Sequence, residues 1–211
     1  MANAPGGETL VRALPGRPKT GVIYAHGWRT TGARDLERFG LARILSGDIT
    51  HLVVPQGADR SRFGVYEQAP VDSARAAALA SGLPNAPQRW IIVSHSGGYR
   101  VPAAGADDPR VIGIVLADST YGAEQALRRA ARRLGPRMWV WTSSSSRQTQ
   151  ALADELGQLG ASRHDIDMAH QPIAEHAFFS GVNRLRRRGP GPAAYLAGAV
   201  AGFFVLRALS K

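Results

Sequence analysis

The feature that most constrains this chain is an alternation of short β-branched runs with stretches of helical spacing. Residues 21–25 (GVIYA), 51–55 (HLVVP), 90–93 (WIIV), 111–117 (VIGIVLA) and 137–141 (RMWVW) read as strands. Residues 36–45, 69–83, 123–134 and 149–159 carry helical periodicity between them. The 123–134 segment is the clearest helix. Ala123, Ala126, Leu127, Ala130, Ala131 and Leu134 form one stripe, and Arg128, Arg129, Arg132 and Arg133 lie on the other face. The 111–117 run is apolar throughout, as expected of a strand covered on both faces. A weak edge strand is expected over 164–168 and a last helix from about 176 to 188. Strands alternating with helices imply a mostly parallel central sheet with helices on both faces, a three-layer α/β architecture. With 211 residues, 44% hydrophobic and 20% charged, the chain suits one substantial core. That core is expected over 21–188, with an N-terminal extension over 1–20. A Gly/Pro linker and apolar tail follow over 189–211.

In such sheets, sites form at the carboxyl ends of the strands. Ser94-His95-Ser96-Gly97-Gly98 follows the 90–93 run directly. It reads S-x-S-x-G, a variant of the G-x-S-x-G nucleophile elbow with Ser94 in place of the first glycine. The elbow needs small neighbours because its backbone is strained and strand and helix pass closely. Ser96 is therefore the candidate nucleophile. Asp118-Ser119 ends the 111–117 run, and His26-Gly27-Trp28 ends the first. With a late histidine, these follow the chain order Ser, Asp, His of one known type of catalytic triad.

Together, His26-Gly27, the 94–98 elbow, Asp118 and a late histidine make residues 20–188 resemble a small α/β-hydrolase. The resemblance implies acyl transfer by a Ser96 nucleophile, a histidine base and a carboxylate that orients the base. It places the oxyanion hole at the backbone N–H of Gly97 and of Trp28. The acid more often follows the next strand, 137–141, but no carboxylate occurs there until Asp154 and Glu155, inside a helix. Asp118 is the alternative. His176, just before Ala177-Phe178-Phe179, is the expected base. His170, six residues earlier, reads as a competing base, a surface loop residue or a substrate contact. His95 and His26 are expected beside the pocket. The 56–68 loop offers Phe63 and Tyr66 to a substrate, unless they merely cover the end of the sheet. The expected substrate is a small-molecule or polymeric ester, or an amide. No cofactor and no metal are implied. A catalytically silent scaffold, serving as a binding or membrane-tethered module, is the alternative.

The formal net charge is +10, and all basic residues but Lys19 and Lys211 are arginine. A basic surface favours anionic partners. No nucleic-acid motif accompanies it. There is no cysteine, hence no disulfide. Residues 1–20 lack an apolar signal segment, so a cytoplasmic location is expected. The tail is distinctive. Residues 184–188 (RLRRR) and the Gly189–Pro192 linker precede 14 uninterrupted apolar residues, 193–206, with Gly198 and Gly202 at G-x-x-x-G spacing. This is shorter than the ~20 residues of a full span. Membrane association through 193–209, packing on the domain and an oligomer contact all remain open, as does the oligomeric state.

Overall fold

The computed structural model describes residues 9–57, 62–144 and 147–187. Seven strands form one sheet: β1 (Thr9–Ala13), β2 (Thr20–Ala25), β3 (Ile49–Pro55), β4 (Arg89–His95), β5 (Val111–Ala117), β6 (Met138–Ser143) and β7 (Ser162–Ile166). Their order is β1-β3-β2-β4-β5-β6-β7. Every neighbouring pair is parallel except β1 with β3. The helices are α1 (Gly32–Arg38), α2 (Pro70–Ala80), α3 (Arg100–Ala104), α4 (Glu124–Leu134), α5 (Arg147–Gln158) and α6 (Pro172–Arg187).

The strands read as continuous apolar runs because both faces of the sheet are covered. Along β2, Val22 and Tyr24 join one core while Ile23 and Ala25 join the other. One core holds Ile92, Ile114, Leu127 of α4 and Leu156 of α5. The other holds Ile91, Val115, Leu36 of α1 and Phe178 of α6. This is the expected three-layer arrangement. On α4, Leu127, Ala130, Ala131 and Leu134 are buried, and the arginine face makes ion pairs instead. Arg128 meets Glu155 at 2.6 Å and Arg129 meets Asp107 at 2.9 Å.

Two boundaries differ from the sequence reading. Part of the segment set apart as an N-terminal extension is β1, which pairs antiparallel with β3 from Thr9 opposite Pro55 to Ala13 opposite His51. An edge strand of four half-exposed residues and one exposed arginine carries little periodicity, which hid it. The last helix begins at Pro172, not near 176. Proline suits a first helical turn because its missing N–H would lack a helical partner there. The apolar segment 193–206 lies outside the described residues. Among those described, no helix is long and apolar enough to cross a membrane.

Candidate active site

β4 ends at His95, a 3₁₀ turn runs from Ser96 to Tyr99, and α3 follows. Ser96 has φ +50°, in the left-handed region that a residue with a Cβ avoids. Close packing sets this turn. A Cβ at Gly98 would lie 2.5 Å from the Ala25 carbonyl oxygen, so strand and turn approach at a distance only glycine allows. On the other side Ser94, standing where the motif usually has glycine, is fully buried and donates its hydroxyl to Ser119 Oγ at 2.8 Å. Ser119 Oγ donates in turn to the Ser96 carbonyl at 2.9 Å. The buried hydroxyl is thus satisfied rather than stranded.

Asp118 follows β5 directly, is fully buried and also has a left-handed backbone, φ +44°. Its N–H donates to the Trp141 carbonyl at 2.8 Å, which fixes it against the end of β6. Oδ1 accepts the Ser143 N–H at 2.7 Å, and Oδ2 accepts from His170 Nδ1 at 2.9 Å. Burial pushes the carboxyl pKa up, but the bonds from His170 and Ser143 outweigh it and hold the group below its usual value. Asp118 is therefore a carboxylate at neutral pH. Because Nδ1 of His170 donates, Nε2 is the basic nitrogen of the neutral ring.

His170 stands in the loop between β7 and α6, with 30% of its side chain exposed. Its own carbonyl accepts from His95 Nε2 at 2.9 Å, and the two rings lie 4.7 Å apart between centroids. His95 is buried. Burial first, and then the neighbouring His170, lower its pKa to about 4.

The sequence expectation put the base at His176, whereas the histidine bonded to Asp118 is His170. His176 lies inside α6, its ring edge-on to Trp141 at 4.9 Å, while Asp118 gives its carboxylate to His170 and Ser143. The reason is the early start of α6. With Pro172 at the head of the helix, the histidine left in the entering loop is His170.

Of the other expected residues, Gly27 abuts the elbow. A Cβ there would lie 2.7 Å from His95 Nδ1 and 3.1 Å from Ser96 Cβ. Trp28, next in the chain, exposes half its surface, with the Arg29 guanidinium 4.8 Å over its ring. Gly97 follows Ser96 within the turn. His26 is buried and ties two loops together. Its Nε2 accepts the Gly57 N–H at 2.9 Å, and its Nδ1 donates to the Gly27 carbonyl at 2.8 Å. Burial lowers its pKa, in keeping with this neutral, doubly bonded ring.

Phe63 and Tyr66 are not offered to a substrate: they are 1% and 3% exposed and belong to the core. Phe63 packs edge-on against His26 at 5.0 Å, and the Tyr66 hydroxyl donates to Thr9 Oγ1 at 3.3 Å. Asp154 and Glu155 are ion-paired to Arg163 and Arg128. Two further aromatics lie close in sequence to Ser96 and Asp118. Tyr99 closes the elbow turn, and a Cβ on Gly122 would lie 3.2 Å from its ring; Tyr121, three residues beyond Asp118, is 40% exposed. Among the described residues, no group of His, Asp and Glu is arranged to hold a metal ion.

No family model and no curated protein matches the sequence. Solved structures do match the fold. A predicted CIB-like hydrolase from Thermoplasma acidophilum superposes with a TM-score of 0.61 at 14% identity, covering 84% of this chain and 90% of the other. An IroE-like serine hydrolase from Shewanella oneidensis gives 0.55 at 14% identity, covering 83% and 74%. An esterase from Pyrococcus furiosus gives 0.52 at 14% identity, covering 82% and 84%. At such identities the likeness is one of fold. The chain has the α/β-hydrolase fold.

Proposed function

We propose that the protein is a serine hydrolase acting on ester bonds, with Ser96 as nucleophile, His170 as general base and Asp118 as the carboxylate that orients it. One observation carries this reading: the 2.9 Å bond from His170 Nδ1 to a buried, ionised Asp118, on a ring packed against the residue that precedes the strained Ser96. A serine hydroxyl is a poor nucleophile until an imidazole accepts its proton. His170 Nε2 takes that proton as Ser96 Oγ attacks the acyl carbon, and Asp118 stabilises the imidazolium that forms. The imidazolium returns the proton to the leaving alcohol. Water, activated by the same nitrogen, then releases the acid from Ser96. The oxyanion is assigned to the backbone N–H groups of Gly97 and Trp28, each worth about 3 kcal/mol of transition-state stabilisation. An amide is the harder substrate for the same groups.

The test is labelling with a fluorophosphonate probe together with p-nitrophenyl ester hydrolysis. Labelling is expected to vanish in Ser96→Ala. In His170→Ala, kcat is expected to fall on the order of 10²–10⁴-fold, the usual range for a lost general base. His176→Ala should retain turnover. Well-folded protein that takes no label would sink the enzyme reading and leave a silent scaffold. Loss of activity in His176→Ala but not in His170→Ala would reverse the assignment of the base.

A further inference from the structure

Two buried side chains near the site each join two members of the proposed triad. Ser119 is the chain neighbour of Asp118, and its hydroxyl donates to the carbonyl of Ser96 at 2.9 Å. His95 is the chain neighbour of Ser96, and its Nε2–H donates to the carbonyl of His170 at 2.9 Å. Both residues are almost wholly buried. A carbonyl oxygen can only accept, so Nε2 of His95 must carry the proton and Nδ1 is left bare. That Nδ1 is buried without a hydrogen-bond partner, against Gly27. Leaving it bare has a cost, which the clamp on His170 offsets. Ser94 completes the set by donating to Ser119 at 2.8 Å, which turns the Ser119 hydroxyl toward Ser96.

We propose that Ser119 and His95 are positioning residues that cross-brace the triad, Ser119 holding the backbone of the nucleophile from the acid's loop and His95 holding the backbone of the base from the nucleophile's strand. The proposal rests on the assignment of Ser96, His170 and Asp118 made above. The physical need is plain. Ser96 and Asp118 both sit in left-handed backbone that the chain would leave if it could, and His170 is on a loop between elements. Such conformations persist only when their surroundings over-determine them. The braces also explain the departure from the usual motif. A glycine at 94 would leave Ser119 without a partner to turn its hydroxyl, so Ser94 supplies the orientation that the strained serine needs.

The experiment compares Ser119→Ala and His95→Phe with wild type in p-nitrophenyl ester hydrolysis and in fluorophosphonate labelling rate. Both are expressed per folded molecule, with near-ultraviolet circular dichroism and urea midpoints measuring the folded fraction. Each variant is expected to lose about 10²-fold in kcat, the scale of a misplacement of ~1 Å, with KM within about twofold of wild type. His95→Gln keeps an N–H on a side chain of similar reach and should recover most of the loss, which a purely structural defect would not. Should either brace variant fail to fold, Ser94→Ala and His95→Gln carry the test. Ser94→Ala is then expected to lower kcat several-fold and His95→Gln to leave it near wild type. If Ser119→Ala and His95→Phe, or Ser94→Ala in their place, fold and keep wild-type kcat, or lose stability with no change in rate per folded molecule, the bracing is refuted while the triad stands. If the wild type takes no label, or His170→Ala labels as fast as wild type, the triad itself is wrong, and that outcome is separable from the first.

Discussion

His95 offers a test of the site that needs no substrate. An ordinary imidazole takes a proton near 6.5, and this one does so at about 4 because it is buried and faces His170. Each tenfold difference in proton affinity between folded and unfolded chain is worth about 1.4 kcal/mol. The unfolded chain binds the proton more tightly, so protonation favours unfolding. The contribution of a neutral His95 is therefore complete above pH 6.5. It is lost progressively as the pH falls from 6.5 to about 4, by a total of about 3 kcal/mol. Against a typical domain stability of roughly 5–15 kcal/mol this is a large share.

The measurement is urea unfolding of wild type and His95→Gln in small steps from about pH 7.5 to about pH 4. His26, His51 and His164 are lowered by burial as well, but they are common to both proteins and cancel in the difference. Relative to the glutamine variant, wild type should lose about 3 kcal/mol across this window, most of it below pH 6.5. A difference that stays flat with pH would show that the ring is not held neutral. The buried, bare Nδ1 would then lose its physical basis, although Nε2–H could still donate to the His170 carbonyl.

Two further outcomes follow from the packing and from the sequence. Gly98→Ala forces a Cβ to 2.5 Å from the Ala25 carbonyl, a backbone atom that cannot move aside, and should cost about 1–3 kcal/mol of stability together with activity; an unchanged urea midpoint would contradict the close approach. The apolar segment 193–206, preceded by the arginines that end α6, should bring the full chain down with vesicles containing anionic phospholipid, while a variant ending at Arg188 stays in solution; a full chain that stays in the supernatant would remove the membrane reading of that segment.

The fold was legible because its signal is physical redundancy. β2, β4, β5 and β6 are buried on both faces, so nearly every residue in them must be apolar, and runs such as WIIV and VIGIVLA announce themselves. β1 is the opposite case. One flank has no neighbour in the sheet, its residues are mostly half-buried, and it carries an arginine, so nothing in TLVRA separates it from a loop. Its place is decided by β3, whose edge would otherwise present unpaired N–H and C=O groups.

The same division runs through the site. Ser96 and Asp118 could be found because each follows a strand that the sequence marks clearly, and a strand end in a parallel sheet fixes where the next side chain goes. The histidine proposed as base has no such anchor. Its position depends on where a loop gives way to a helix, and the apolar run Ala177-Phe178-Phe179 suggested a start several residues too late. Yet the chain carries a sharper signal. Proline disfavours helical backbone at the residue before it, so Gln171 cannot belong to α6, while Pro172 itself fits the first turn. That rule alone puts His176 one turn inside the helix and leaves His170 on the loop. The loop histidine, His170, is the one bonded to the carboxylate at the end of β5, at 2.9 Å. For Phe63 and Tyr66 the sequence left two readings open, a substrate surface or a cover for the sheet's end, and burial favours the second. Burying two rings over the open end of a sheet stabilises the fold by more than displaying them could, and the core took them.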